Sequence, residues 1–168
     1  MKKISVLHIT NNEVSGGAAR SVMRLHSSLR EIDLDSKLLL LNKESDDKSA
    51  ISYYSTRFSI LSKLRSFLDR LPKIFYPRSK HPSKFSFAWV PDKLTKKINK
   101  INPDVVHIHW INNGQMALST LSRIKQPIVF TMLDMWPITG GCHYDYGCQG
   151  YTRSCGSCPV LGSTCERD

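Results

Sequence analysis

All five cysteines of this 168-residue chain fall within its last 27 residues. Cys155 and Cys158 have the C-x2-C spacing of a zinc knuckle, in which two thiolates bind one metal ion. The sequence therefore predicts a structural zinc site with four sulfur ligands: Cys142, Cys148, Cys155 and Cys158. Reduced thiols, disulfides and another metal remain the alternatives, and His143 and Cys165 are spare candidate ligands.

Two histidines alternate along an apolar run at residues 105–110, which is predicted to be a strand. Because side chains of a strand alternate between its faces, His107 and His109 must share one face. We expect His107 to be a hydrogen-bonded core residue. His109 lies nearer the carboxyl end of the strand and is followed by a polar segment that contains Asn112. We therefore expect His109 and Asn112 to bind a ligand.

A glycine pair, Gly16 and Gly17, stands between a predicted strand and a predicted helix. Glycine lets the backbone approach a ligand closely, and the N-terminus of a helix favours an anion. A full dinucleotide-binding fingerprint is absent, so a ligand-binding loop and a simple tight turn both remain open.

These residues require an α/β fold, because predicted strands alternate with predicted helices. The strands are expected at residues 4–10, 36–41, 105–110 and 128–133, and the helices at 18–30, 60–71, 91–101 and 115–124. The fold class is therefore a parallel sheet flanked by helices, followed by an irregular Cys-rich segment. We divide the chain into an α/β domain at 1–136, with a basic helical insertion at about 53–86, and a Cys-rich segment at 137–168. Residues 42–52 are expected to form a loop.

The net charge of +10 is concentrated in one stretch, where eight basic residues are opposed by Asp69 alone. They are Arg57, Lys63, Arg65, Arg70, Lys73, Arg78, Lys80 and Lys84. Apolar residues at helical spacing accompany them, so the helix either lies on an anionic membrane surface or packs on the core with a solvated basic face. No nucleic-acid-binding motif is present, and we exclude that partner.

No apolar run reaches the ~20 residues of a membrane-spanning helix, and the N-terminal apolar run, interrupted by His8, is too short for a signal peptide. We therefore expect a cytoplasmic location, with peripheral contact to the inner face of the plasma membrane.

Three segments together resemble the N-terminal half of family-4 (group 1) glycosyltransferases of bacterial polysaccharide synthesis. They are residues 15–20 (SGGAAR), 103–112 (PDVVHIHWIN) and 134–144 (DMWPITGGCHY). The resemblance implies the GT-B fold, in which two Rossmann-like domains face each other. The N-terminal domain holds a saccharide or lipid-linked acceptor, and the C-terminal domain binds the nucleotide-sugar donor.

The same resemblance assigns Gly16 and Gly17 to a ligand-binding loop near the donor diphosphate, and Asp134 to ligand binding and catalysis. Asp134 matches the acidic member of a His-Asp pair, and Leu133 stands where the family has the histidine. We expect the donor-binding domain to be absent from these 168 residues, so that the chain is inactive without that domain in cis or in trans.

Two functions are therefore compared. The first is the acceptor-binding half of a retaining glycosyltransferase, whose donor would be a nucleotide-sugar. The second is a non-enzymatic module, ordered by zinc, that binds a membrane or a partner protein.

Overall fold

The computed structural model describes residues 3–53, 60–76 and 84–166. Its strands are β1 (Ser5–Asn12), β2 (Asp35–Asn42), β3 (Ala50–Ser52), β4 (Val105–Ile108) and β5 (Ile128–Phe130). Its α-helices are α1 (Gly17–Glu31), α2 (Ile60–Arg70), α3 (Leu94–Ile101) and α4 (Leu118–Leu121). Single turns of 3-10 helix cover Leu71–Phe75, Trp136–Ile138 and Gly150–Thr152. No helix within these ranges is long and apolar enough to cross a membrane.

The five strands form one parallel sheet in the order β3-β2-β1-β4-β5. The predicted α/β fold with a parallel sheet flanked by helices is confirmed. The strand order reverses beside β1, whose next neighbours are β2 and β4. In such sheets, ligands bind outside the carboxyl ends of the strands at this reversal.

The two faces of the sheet are packed differently. On one face, Leu7, Ile9 and Ile108 are fully buried in a cluster that includes Leu94 and Ile98 of α3. On the other face, Val22 of α1 packs with a second apolar cluster: Leu38, Leu40 and Ala50. The main core therefore lies beneath α3, and the α1 face leaves room for polar residues.

Two elements differ most from the sequence-based expectation, while β4, β5 and α3 are two or three residues shorter than predicted. The predicted loop at 42–52 contains β3, a three-residue strand too short for its alternation to show in the sequence. The predicted helix at 115–124 shortens to α4. Gln115 lies outside the helix, and its Nε2 donates to the backbone oxygen of Thr10 at 2.9 Å. The backbone N–H of Ala117 donates to Asp92 Oδ2 at 2.8 Å, just before α4 begins.

The basic helix α2 is anchored to the fold through its backbone and Arg65. The guanidinium of Arg65 donates to the backbone oxygens of Gly114, Pro91 and Val90, at 2.6–3.0 Å. Gly114 permits this approach, because a Cβ at that position would lie 2.5 Å from the backbone oxygen of Arg65. Arg57, Arg78 and Lys80 of the predicted insertion lie outside the described residues.

The Cys-rich segment is joined to the preceding fold by backbone pairing. Phe85 and Cys142 form an isolated antiparallel bridge. Further along, Val160 and Leu161 are buried, whereas most of the segment is half-buried or exposed. The predicted division between residues 136 and 137 stays a prediction.

Candidate functional site

A cleft of about 610 Å3 opens at the carboxyl ends of the central strands. It is lined by the end of β1, the glycine loop, the start of α1, and the segments that follow β4 and β5. These residues are Thr10, Asn11, Asn12, Ser15, Gly16, Gly17, Ala18, Ala19, Lys84, Trp110, Leu133, Asp134, His143, Tyr144 and Tyr146. Another depression, of about 540 Å3, lies at the opposite ends of the strands beside Pro103. The fold favours the first, because parallel sheets bind ligands at the carboxyl ends of their strands.

The glycine loop presents an open helix N-terminus to the cleft. Gly16 has φ 96°, a conformation that side chains of L-residues disfavour. No atom of the described residues lies within 4 Å of where a Cβ would stand on Gly16 or Gly17, so a ligand can approach this backbone closely. No side chain caps α1, and its first turn contains no acidic residue. The N–H groups of that turn therefore remain available to an anion.

Asp134 forms the opposite wall of the cleft and is held by three donors. Its Oδ2 accepts from Trp110 Nε1 at 2.8 Å and from His143 Nδ1 at 2.6 Å, and its Oδ1 accepts from the backbone of Trp136 at 3.0 Å. Burial opposes ionisation of Asp134, but these hydrogen bonds and the nearby His143 outweigh it and hold its pKa below the ordinary value. Asp134 is therefore an ionised anchor rather than a free proton acceptor.

His143 connects Asp134 to the Lys84–Ser86 segment. Because a carboxylate only accepts hydrogen bonds, Nδ1 of His143 carries the proton that it donates to Asp134. Its Nε2 is hydrogen-bonded to Ser86 Oγ at 2.9 Å. This Ser-His-Asp order resembles a hydrolase triad, but Ser86 is buried and does not line the cleft. The chain of bonds instead fixes the position of the imidazole beside Asp134.

Leu133, which stands where the resemblance places a histidine, lines the same cleft as Asp134. An imidazole is nevertheless present there, because His143 reaches Asp134 from the later loop. Sequence reasoning considered His143 only as a spare metal ligand. The signal that could have found it was its place in the motif ending in Cys142 and Tyr144.

A second cavity, of about 850 Å3, continues from the glycine loop along α2. Asn11, Asn12 and Ser15 line both cavities, so the two adjoin. Four cations line this combined surface, Lys43, Lys63 and Arg70 in the second cavity and Lys84 in the first, and they outnumber the carboxylates of Glu44 and Asp134. Phe67 of α2 is 62% exposed beside Lys63 and Arg70. The surface can therefore attract an anionic group next to an apolar one.

A layer of buried histidines lies on the α1 face of the sheet. Nδ1 of His8 and Nε2 of His109 are 3.0 Å apart, and the rings of His107 and His109 stack at 4.1 Å. His107 Nε2 is hydrogen-bonded to Thr131 Oγ1 at 2.7 Å, but the residue is half-buried rather than fully in the core. Burial, together with the neighbouring histidines, lowers the pKa of His8 and of His109 to about 3, so both rings are neutral.

The histidine layer places His109 beneath the cleft rather than along its wall. Its ring faces His8 because both residues point to the same side of paired strands. Asn112 is buried as well, and its backbone oxygen accepts from Asn11 Nδ2 at 2.7 Å. Ligand contacts by His109 and Asn112 stay a prediction. Ring nitrogens of His8, His107 and His109 all lie within 4.8 Å of one another, a spacing that a cation could also use, but one pair is already hydrogen-bonded.

The four predicted zinc ligands lie apart from the cleft, around a cavity of about 30 Å3. Burial and the three neighbouring thiols raise the pKa of Cys142 to about 12. The structure thus brings Gly16, Gly17 and Asp134 to one site and the four cysteines to another. Lys84 and Tyr144 join the first site from segments distant in sequence, a placement that no local pattern indicated.

Comparison with known proteins yields a partial relative. The chain is 29% identical over 70 residues to WcaC of Escherichia coli (strain K12), named as a colanic acid biosynthesis glycosyl transferase. The match covers 36% of this chain and 17% of that protein, far less than two thirds of its length. No protein-family model matches the chain, and no solved structure matches it significantly. The partial similarity and the parallel-sheet fold support a glycosyltransferase-like function.

Proposed function

We propose that this chain is the acceptor-binding half of a retaining glycosyltransferase of family 4, acting in cell-surface polysaccharide synthesis. The observation that carries the proposal is the composition of the cleft. An uncapped helix N-terminus, an ionised aspartate and a basic surface meet at the carboxyl ends of the strands. The similarity to WcaC supports the same class of enzyme.

The proposed ligand is a saccharide attached to a lipid pyrophosphate. Its phosphates would bind beside Lys84, a cation that lines the cleft. The N–H groups of Gly17 and the next residues would face the donor diphosphate, which the resemblance places near this loop. The sugar would lie on the aromatic side of the cleft, where Trp110, Tyr144 and Tyr146 offer apolar ring faces and polar groups. Asp134 keeps Trp110 in place through the bond from its indole nitrogen.

The lipid part of the acceptor would lie towards α2. Apolar side chains of α2 and the following turn stay exposed: Leu64, Phe67, Ile74 and Phe75. Lys63 and Arg70 stand beside them along the second cavity. Apolar residues flanked by cations favour an anionic membrane surface, so we place this end of the domain at the inner face of the plasma membrane.

Transfer itself is proposed to need a donor-binding domain that supplies the nucleotide-sugar, in cis or in trans. In this scheme Asp134 and His143 position the acceptor and keep the cleft wall around the reacting group in place. Asp134 and His143 are hydrogen-bonded to each other, and the scheme does not require Asp134 to transfer a proton. Leu133 leaves the sugar-facing position apolar.

The experiment is a calorimetric titration of the full chain with a short-chain prenyl pyrophosphate oligosaccharide. Lys84→Gln removes a cation from the cleft and is expected to weaken binding about tenfold, which corresponds to about 1.4 kcal/mol. Lys125→Gln, at an exposed lysine that does not line the cleft, is the matched control and should leave the affinity unchanged. Equal affinities for the two variants, or no binding by the unmodified chain, would contradict the proposal.

The alternative is a non-enzymatic module that binds membrane or a partner protein. The observation that favours it is the exposed apolar surface of α2 beside basic residues. Sedimentation with phosphatidylglycerol vesicles, compared with phosphatidylcholine vesicles, separates the two. Membrane binding without any saccharide affinity supports the module, whereas saccharide affinity supports the acceptor-binding domain.

A further inference from the structure

Four cysteines line one small cavity in the C-terminal segment. Its walls come from three stretches of chain that carry Cys142, Cys148 and the Cys155–Cys158 pair. The cavity volume of about 30 Å3 is enough for a single small ion. The thiols of Cys142 and Cys158 are within hydrogen-bonding distance, and all four cysteines are free rather than disulfide-bonded.

Glycines bring the surrounding backbone close to these sulfurs. A Cβ on Gly140 would lie 3.2 Å from Cys155 Sγ, and a Cβ on Gly150 would lie 3.3 Å from Cys148 Sγ. A side chain at either position would therefore press on a sulfur atom. Small residues thus leave room for two of the four sulfurs, those of Cys148 and Cys155.

The segment also lacks enough apolar contact to order itself. Val160 and Leu161 are buried, but Tyr144, Tyr146, Cys148 and Cys165 are exposed. A short stretch with so few buried side chains gains little from the hydrophobic effect. Binding of a metal supplies folding free energy directly, because the unfolded chain has no preformed site.

The identity of the metal follows from the ligands. Thiolates are soft donors, and a closed set of four sulfurs with a C-x2-C pair is the usual environment of structural zinc. The histidine layer is a weaker candidate, because the rings of His8 and His109 already bond to each other. Binding of Zn2+ releases the thiol protons to solvent and leaves four zinc–sulfur bonds with no change in oxidation state.

The position of Cys142 links this cavity to the cleft. Cys142 pairs with Phe85, and on either side of it Ser86 N donates to Gly141 O at 3.0 Å and His143 N donates to Lys84 O at 3.2 Å. A metal on the Cys142 sulfur would hold this pairing in register. The same pairing sets His143 against Asp134, so the two sites share one strand of backbone.

We propose that Cys142, Cys148, Cys155 and Cys158 bind one structural zinc ion, and that this ion keeps His143 in place on Asp134. The zinc site does not depend on the proposed acceptor. A chain that binds zinc but no saccharide would refute the proposed function alone.

The test is the metal content of the full 168-residue chain, purified under reducing conditions without chelator. We expect about one zinc per chain, lost in the double variant Cys155→Ser, Cys158→Ser. Cys165→Ser is the matched control, because Cys165 is exposed and does not line the cavity, and it should retain the metal. Absence of zinc from the unmodified chain, or zinc retained by the double variant, overturns the proposal.

A second measurement covers the case in which the double variant fails to fold. Replacement of the metal by Co2+ in the unmodified chain should produce the absorption bands of tetrahedral cobalt thiolate. Removal of the metal with a chelator should then shift the imidazole NMR signals of His143 while those of His8 stay in place. Cobalt bands typical of nitrogen ligands, or unchanged His143 signals, would refute the site or its link to Asp134.

Discussion

Acidification should destabilise this protein well above the pH at which carboxylates titrate. His8 lies near the rings of His107 in β4, His109 just after β4 and His26 of α1. Besides burial, His107 and His26 act on its pKa. The pKa of His8 and of His109 falls from 6.5 to about 3 through burial and the neighbouring histidines. In the unfolded chain these two histidines therefore bind protons below about pH 6.5, whereas in the folded chain they bind them only near pH 3.

The sign and size of the effect follow from this difference. The stability that neutral His8 and His109 contribute is complete above pH 6.5 and is lost as the pH falls towards 3. Each histidine changes the free energy of unfolding by about 1.4 kcal/mol per pH unit within that range. From pH 7 to pH 5 the two together should remove about 4 kcal/mol, a large part of the 5–15 kcal/mol typical of a domain.

The assay is urea unfolding at several pH values between 7 and 5, with EDTA present so that cations at the histidines do not contribute. Asp69 acts in the opposite direction, because burial raises its pKa, so a variant is compared with the unmodified chain. His109→Gln should lose less stability between pH 7 and pH 5, by about 2 kcal/mol. A pH-independent midpoint, or the same slope in both proteins, would refute the reasoning.

The remaining predictions concern how α2 is held. Gly114→Ala should destabilise by about 2–4 kcal/mol, since its φ of 72° and the close backbone of Arg65 both oppose a Cβ. The control Gly147→Ala, at φ 81° but with open space around it, should lower the free energy of unfolding by only about 1 kcal/mol. Equal losses of stability in the two variants on thermal unfolding would contradict the packing argument. Arg65→Gln should expose the amides of α2 to hydrogen exchange, because it breaks three bonds to backbone oxygens. Lys63→Gln in the same helix should not, and similar exchange in both variants would show that Arg65 does not anchor α2.

Much of the fold could be predicted from periodicity. Apolar runs such as 36–41 and the helical spacing of α1 are local signals, and both correspond to observed elements. β3 escaped prediction because three residues carry no alternation, and α4 was overestimated because Gln115 bonds to β1 instead of continuing a helix. The first error reflects a strand too short to leave a periodic signal, and the second a tertiary contact that competed with local propensity.

The candidate site could be predicted only in part. The glycine loop was visible because a strand, two glycines and a helix follow one another in sequence. The partnership of His143 with Asp134 was not visible, although the two are nine residues apart, because it depends on the bridge between Cys142 and Phe85. His109 reached the core layer because it faces His8, which is about a hundred residues away.

By itself, the sequence determined the α/β class, the parallel sheet, the clustering of basic charge and the thiol spacing that predicts zinc. These are local properties, since hydrophobic period and ligand spacing are set by neighbours along the chain. Only the tertiary structure decided which of the candidate site residues lie next to one another. Parallel pairing of β1 with β4 buried the histidines as a neutral layer, and it left Gly16, Lys84 and Asp134 around one cleft. Side chains distant in sequence come together only when strand order and register are set, and no local pattern encodes that register.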